Sequence, residues 1–166
     1  MPDHPALSGI IKFLRLGLWI TTYLALSISP LLADDETRTT PSEAKIMALK
    51  AAQYVKDHDW ENAKSAFHTK GGQFFDRDLY VFVQDFNCTF LAHGLKPHLV
   101  GRNIWNLKNP NGRFACQDIV NTTKEKGQGW TEYIFTDPAT GEPAWKQTFH
   151  IAVGDLIVMV GAYRPE

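Results

Sequence analysis

The run "LIVMVGAY" (residues 156–163) sets the tightest limit on how this chain can fold. It carries no charge, and its only hydrogen-bonding side chain is the final tyrosine. A strand turns successive side chains to opposite faces, so a strand that is apolar on both must be covered on both. That puts it at the centre of a sheet with material packed above and below. Upstream, "AWKQTFHIAV" reads as a strand joined to it through Gly154 and Asp155, and "WTEYIFT" as another joined through the turn "DPATG". The three form an antiparallel meander. Earlier, "LYVFVQDF" and "TFLAH" flank Asn87 and Cys88, the two-residue separation of a β-hairpin without the glycine common there. This hairpin has to join the meander to bury its own apolar face.

Helical signals fill the rest. Thr40, Pro41 and Glu43 form a capping box with proline at the first helical position. Ala44, Met47, Ala48, Ala51 and Val55 then recur at helical spacing. Asp59 caps a shorter helix, "WENAKSAFH", with Trp60, Ala63 and Phe67 as its stripe and Gly71 and Gly72 closing it. After an irregular stretch ending in a turn at residues 109–112, "RFACQDIVNTTKEK" reads as a third helix, released by Gly127 and Gly129. The expected fold is α+β: a five-stranded antiparallel sheet, the long N-terminal helix on one face, and a loop and short helix (residues 94–126) covering the other. A cavity beneath that cover is natural.

With 166 residues, the chain suits one domain, expected over residues 41–166 after a polar linker, "DDETRTT", at 34–40. Before the linker, Lys12 and Arg15 precede a charge-free run from Leu16 to Leu32, and Ala33 follows. Residues 1–33 therefore read as a signal peptide, which implies a periplasmic or secreted protein. The alternative is an uncleaved N-terminal anchor, for which an apolar run this short, with a proline in it, is marginal. A net charge of −1 offers no field for nucleic acid. Cys88 and Cys116 are either free thiols or a bridge, and the absence of CxxCH excludes c-type haem. His93 and His98 lack the carboxylate or cysteine that a zinc site needs, so no metal or other cofactor is expected. Cys88 with His93 is the one pairing suggestive of a nucleophile and its base. No orienting or oxyanion group accompanies it, and the chain reads as a binder rather than an enzyme.

Between Pro41 and Tyr163 the sequence resembles the single Cache domain of type 2, an extracytoplasmic PAS-like sensor module. The segments that carry the likeness are "DLYVFV", "LAHG", "LVGRNIWNLKNPNGR", "GQGWTEY", "DPATGEPAWKQTF" and "GDLIVMVGAY". The resemblance implies a pocket on one side of the sheet for a small organic molecule, often a short-chain carboxylate such as acetate, propionate, pyruvate or lactate. Such domains usually sit between the membrane helices of chemoreceptors or histidine kinases. Here the sequence stops after "GAYRPE", so the expectation is a freestanding exported Cache protein that passes occupancy to a membrane receptor or histidine kinase. The rival expectation is a structural or protein-interaction module whose pocket its own side chains fill. Three positions depart from the family pattern: Asn87-Cys88 replaces a common Asp-Gly turn, Asn109 a frequent aspartate, and Phe149 a frequent tyrosine. The last would remove a hydroxyl donor from the ligand.

Six residues are candidates for ligand contact: Lys146, His93, Trp130, Tyr133, Tyr80 and Phe149. Lys146 interrupts an apolar strand, and an inward ammonium needs an anionic partner or strong acceptors. A guest carboxylate could serve. So could Glu132, which a turn centred on Ala139 would set directly across the hairpin. By itself His93 reads as a strand-end histidine bonding a nearby carbonyl; the resemblance moves it to the pocket wall. Trp130 and Tyr133 suit a small-ligand pocket, an apolar wall and a hydroxyl. They have opposite strand parity, however, as do Lys146 and Phe149, so a regular strand cannot point both members of either pair into one cavity. Tyr80 shares a face with Phe82 and has a hydroxyl in want of a partner.

Overall fold

Helix α1 (Pro41–Asp57) begins where the capping box places it: Glu43 N–H donates to the Thr40 hydroxyl, and Thr40 N–H donates to the Glu43 carboxylate at 2.7 Å. The computed structural model describes residues 38–164. The expected signal peptide and most of the linker lie outside them. Ala44, Met47, Ala48 and Ala51 are buried as their spacing requires, with Ala52 beside them and Val55 partly buried against the same core. Asp59 caps α2 (Trp60–His68), whose Ala63 and Phe67 are buried. Small residues on the inner face of α1 let its backbone lie close on the sheet, while Phe67 and Phe74 fill the core beside it.

A short two-stranded ribbon follows, β1 (Phe75–Asp76) paired with β2 (Leu79–Tyr80). The expected single strand "LYVFVQDF" is thus broken at Val81, and only β3 (Phe82–Asp85) enters the main sheet. With β4 (Phe90–His93), β5 (Gln128–Thr136), β6 (Pro143–Val153) and β7 (Leu156–Tyr163) it forms an antiparallel sheet in the order β4-β3-β7-β6-β5. The doubly apolar β7 is the central strand, as its composition demands. Its alternate side chains divide between two cores: Val158, Val160 and Ala162 pack toward α1, and Ile157 and Met159 toward the opposite layer.

That opposite layer is α3 (Ala115–Lys126) together with the irregular segment after β4. Gly127 ends α3 in the left-handed conformation at φ 74°, which a residue with a side chain disfavours. The segment runs along the edge of β4: Phe90 N–H donates to Arg102 O at 3.1 Å, and Gly101 N–H donates to Phe90 O at 2.8 Å. Hydrogen bonds that would otherwise leave an open sheet edge are thereby used to anchor the cover. A disulfide joins Cys88, in the β3–β4 turn, to Cys116, in the first turn of α3, with their Cα atoms 6.0 Å apart. The same bond removes the Cys88–His93 nucleophile reading, since neither cysteine is a free thiol.

Two register details decide which side chains share a face. Between β3 and β4, Phe82 pairs with His93 and Val83 with Ala92, but Gln84 pairs with Phe90, so Leu91 is bulged. The bulge brings Phe90 and His93, of opposite parity, to the same side. In the β5–β6 hairpin Tyr133, not Glu132, stands across from Lys146. The turn spans Asp137 to Gly141, with Asp137 N–H donating to Glu142 O and Gly141 N–H to Asp137 O, both at 2.8 Å. Its centre lies half a residue beyond Ala139, and that shift turns the Glu132 side chain to the other face. Glu132 instead pairs with Arg164 at 2.5 Å.

Candidate ligand-binding site

A cavity of about 60 Å³ lies between the sheet and its α3-side cover. Tyr80, Phe82, His93, Tyr133, Phe135 and Lys146 form the floor; Ile104, Leu107 and Asn109 from the loop, with Ala115, Cys116 and Ile119 from α3, form the roof. At roughly 10–15 Å³ per water-sized group, the space suits a guest of about four to six non-hydrogen atoms. The disulfide holds this roof to the hairpin below it, and Gln84 Nε2 donates to Cys116 Sγ at 3.0 Å from the floor.

Lys146 is the unusual member of the floor, only 1% exposed. Its Nζ donates to Tyr80 Oη at 2.6 Å and stands 4.0–5.5 Å from the ring centres of Tyr80, Phe82, Phe135 and Tyr163. Among the described residues no carboxylate oxygen lies within 4.0 Å of it. Burial therefore pushes the amine well below the usual lysine range, against the more distant pull of Asp78 and Asp137. Those two acids face other groups: Asp137 pairs with Arg38 at 2.6 Å, and Asp78 Oδ1 accepts from the Thr39 N–H at 3.1 Å and from the Thr39 hydroxyl, its buried Oδ2 lying 3.7 Å from Arg38 Nη1.

The neighbouring polar groups have ordered protons. Tyr163 donates to Thr136 O at 2.9 Å, so at the 3.4 Å contact between Tyr80 and Tyr163 the donor is Tyr80. Tyr80 thus accepts from Lys146 and donates to Tyr163, and has no hydrogen left for a guest. Its role is to hold the lysine. Tyr133 differs, since it accepts from Thr148 Oγ1 at 3.1 Å and its own hydrogen has no acceptor among the described residues. His93, 1% exposed, accepts the Lys96 N–H on Nδ1 at 3.0 Å, which places its proton on Nε2. Burial, then the nearby Lys146, lowers its pKa to about 3, so the imidazole is a neutral donor. Asn109 adds a buried Nδ2 with no partner among the described residues. The cavity therefore presents spare donors within an apolar wall.

Of the six sequence candidates, Lys146, His93, Tyr133 and Tyr80 meet in this cavity. Trp130 and Phe149 do not. Phe149 belongs to the core beneath α1, with Lys45 Nζ 5.4 Å above its ring, and Trp130 rests edge-on against it, 37% exposed. Strand parity is the reason, and a tyrosine at position 149 would likewise point away from this cavity. Two residues were missed as site components. Asn109 was read as a turn residue and as a departure from a frequent aspartate of the family pattern, not as a ligand contact, and Gly161 not at all. A Cβ on Gly161 would stand 2.4 Å from Thr148 Oγ1 and 2.5 Å from Lys146 Cε, so glycine here makes room for the lysine stem. Gly161→Ala is expected to cost about 1–3 kcal/mol in urea unfolding, because a close-packed neighbour must be displaced.

His150 lies on the same face beneath α3, between Thr123 (2.8 Å) and Thr131 (3.1 Å), and burial lowers its pKa to about 4. For His93 and His150 alike, the unfolded chain takes up a proton near pH 6.5 while the folded protein resists until about 3 and about 4. Their contribution to stability is complete above pH 6.5 and declines as pH falls below it. The slope is at most about 1.4 kcal/mol per pH unit for each. Urea midpoints measured at pH 7 and pH 5 should show the loss, and His150→Phe should reduce the difference.

A family model for single Cache domain 2 matches residues 37–165. The chain belongs to that family. A methyl-accepting chemotaxis protein from Vibrio parahaemolyticus has a similar fold (TM-score 0.65, 22% identity, covering 74% of this chain and 86% of that one). So has a structure described as showing carboxylic acid recognition by a Cache chemosensory domain (TM-score 0.62, 21% identity, covering 75% and 92%). The sensor histidine kinase MctS of Rhizobium johnstonii is 28% identical over 87 residues, which make up 52% of this chain and 19% of the kinase. Cache membership carries a ligand-binding sensory role. Among the described residues, no helix is long and apolar enough to cross a membrane.

Proposed function

We propose that this Cache domain binds a small monocarboxylate in the cavity over Lys146, outside the cytoplasm, and passes its occupancy to a membrane receptor or histidine kinase. The observation that carries this reading is a buried lysine whose only hydrogen bond among the described residues is to a tyrosine, at the edge of a cavity furnished with donors. A carboxylate entering there favours the ammonium form and makes a charge-assisted pair with it in a dry setting. Tyr133 and the Nε2–H of His93 can donate to its oxygens. Acetate, propionate, pyruvate and lactate have four to six non-hydrogen atoms, in line with the space. The open volume favours a ligand over a pocket filled by the protein's own side chains, and the disulfide suits an oxidising compartment.

The test is a thermal-shift screen of those four acids and a neutral control, urea. A ligand of the folded state raises the melting temperature in proportion to the logarithm of its concentration. A selective rise with one or more acids supports the reading. Equal, small responses to all five, urea included, sink it.

A further inference from the structure

Asn109 is an unsatisfied donor in the cavity wall. Its Nδ2 is buried and has no hydrogen-bond partner among the described residues. The main chain around it is fully committed: Asn109 N–H donates to Arg113 O and Gly112 N–H donates to Asn109 O, both at 2.8 Å. Gly112 closes this turn at φ 82°. The side chain is thus not required by the turn's own hydrogen bonds, and a loop residue could have kept its amide in water. Leaving a buried amide unpaired costs about 1–3 kcal/mol, and native structures rarely retain one without a use. An amide nitrogen offers two hydrogens and accepts nothing, so what it lacks is an oxygen.

The position of that donor says which oxygen. Lys146 belongs to the sheet and Asn109 to the covering loop, and both line the cavity, so a guest in it has one on each side. A carboxylate seated on Lys146 turns the rest of the molecule toward Asn109. The loop and helix residues beside Asn109 are apolar, Ile104, Leu107 and Ile119 among them. A plain alkyl end would pack on these and leave the amide unpaired, whereas a hydroxyl or oxo group would satisfy it. A second carboxylate fits less well, because Lys146 is the only lysine or arginine lining the cavity among the described residues.

We infer that Asn109 is a specificity-determining residue: it hydrogen-bonds a second, uncharged oxygen of the guest, so the cavity selects small hydroxy- or oxo-monocarboxylates over plain alkanoates. This rests on the carboxylate reading above. Sites that hydrogen-bond a ligand oxygen reject analogues lacking it, because the protein group is then left unpaired.

Titration calorimetry of the purified domain with propionate, lactate, pyruvate and malonate, for the wild type, Asn109→Leu and Asn109→Ser, tests it. Lactate or pyruvate should bind the wild type at least about tenfold tighter than propionate. Asn109→Leu should erase that preference while leaving propionate within about twofold, and Asn109→Ser should retain part of it. Melting temperatures of the unliganded variants should be unchanged or raised, since the lost amide makes no protein hydrogen bond and its unpaired burial is a cost. Equal wild-type affinities for propionate, lactate and pyruvate overturn the assignment, as do equal losses of propionate and lactate in Asn109→Leu, or malonate binding tightest. In those cases the carboxylate reading stands. If none of the four acids binds the wild type, that reading falls and takes this one with it.

Discussion

Lys146→Met is expected to weaken carboxylate binding by about a hundredfold or more while leaving the domain as stable as the wild type, or more so. Methionine fills much of the space of the lysine stem, and removing a buried ionisable group without a carboxylate partner lifts a desolvation cost. Tyr80 keeps its bond to Tyr163. Losing one partner of a buried charge pair typically costs 2–5 kcal/mol, and about 2.7 kcal/mol is a hundredfold. Binding should also take up a proton. Burial holds the empty-site amine well below the usual lysine range, and a bound carboxylate raises it again. Affinity should therefore fall as pH rises above the empty-site pKa, and calorimetry in buffers of different ionisation enthalpy should show net proton uptake. Undiminished binding by Lys146→Met would remove the lysine from the site.

Removing the disulfide, as Cys88→Ala with Cys116→Ala, should produce the largest loss of stability. A bridge across a sequence separation of 28 restricts the unfolded chain by roughly 3–4 kcal/mol on the loop-entropy account. For a domain of this size that is a fall of about 10 °C in melting temperature. The bridge joins the first turn of α3 to the β3–β4 turn, so the roof of the cavity also loses its tie to the floor. Ligand affinity should drop beyond what the lost stability explains, with dissociation affected most. A variant that binds as tightly as the wild type would show that the roof is held by packing alone.

Much of the fold was legible because it rests on local or periodic signals. The Thr40–Glu43 box and the Asp59 cap lie within a few residues of the groups they satisfy. The central place of β7 follows from two apolar faces, whatever its neighbours are. The candidate site was only partly legible. Lys146 could be singled out because a charge in an apolar strand needs an explanation, and Tyr133 and Tyr80 because buried hydroxyls want partners. Trp130 and Phe149 were plausible on residue type and wrong in parity, an objection visible in the sequence although the face each would take was not. Asn109 carried no signal beyond its turn and the family aspartate it replaces, since the direction of a loop side chain depends on what packs over it.

The alternation of apolar residues and the caps determined by themselves that this chain forms an α+β domain with a covered antiparallel sheet, because those signals act over a turn of helix or a pair of residues. Tertiary structure alone decided that Tyr133 rather than Glu132 meets Lys146, that a bulge at Leu91 turns His93 inward beside Phe90, and that Gly161 leaves space for a lysine stem. Each depends on a displacement of one residue or a few tenths of a nanometre between segments distant in sequence. Side chains reverse face with every residue along a strand, so shifts that small separate a buried lysine from an ordinary surface ion pair.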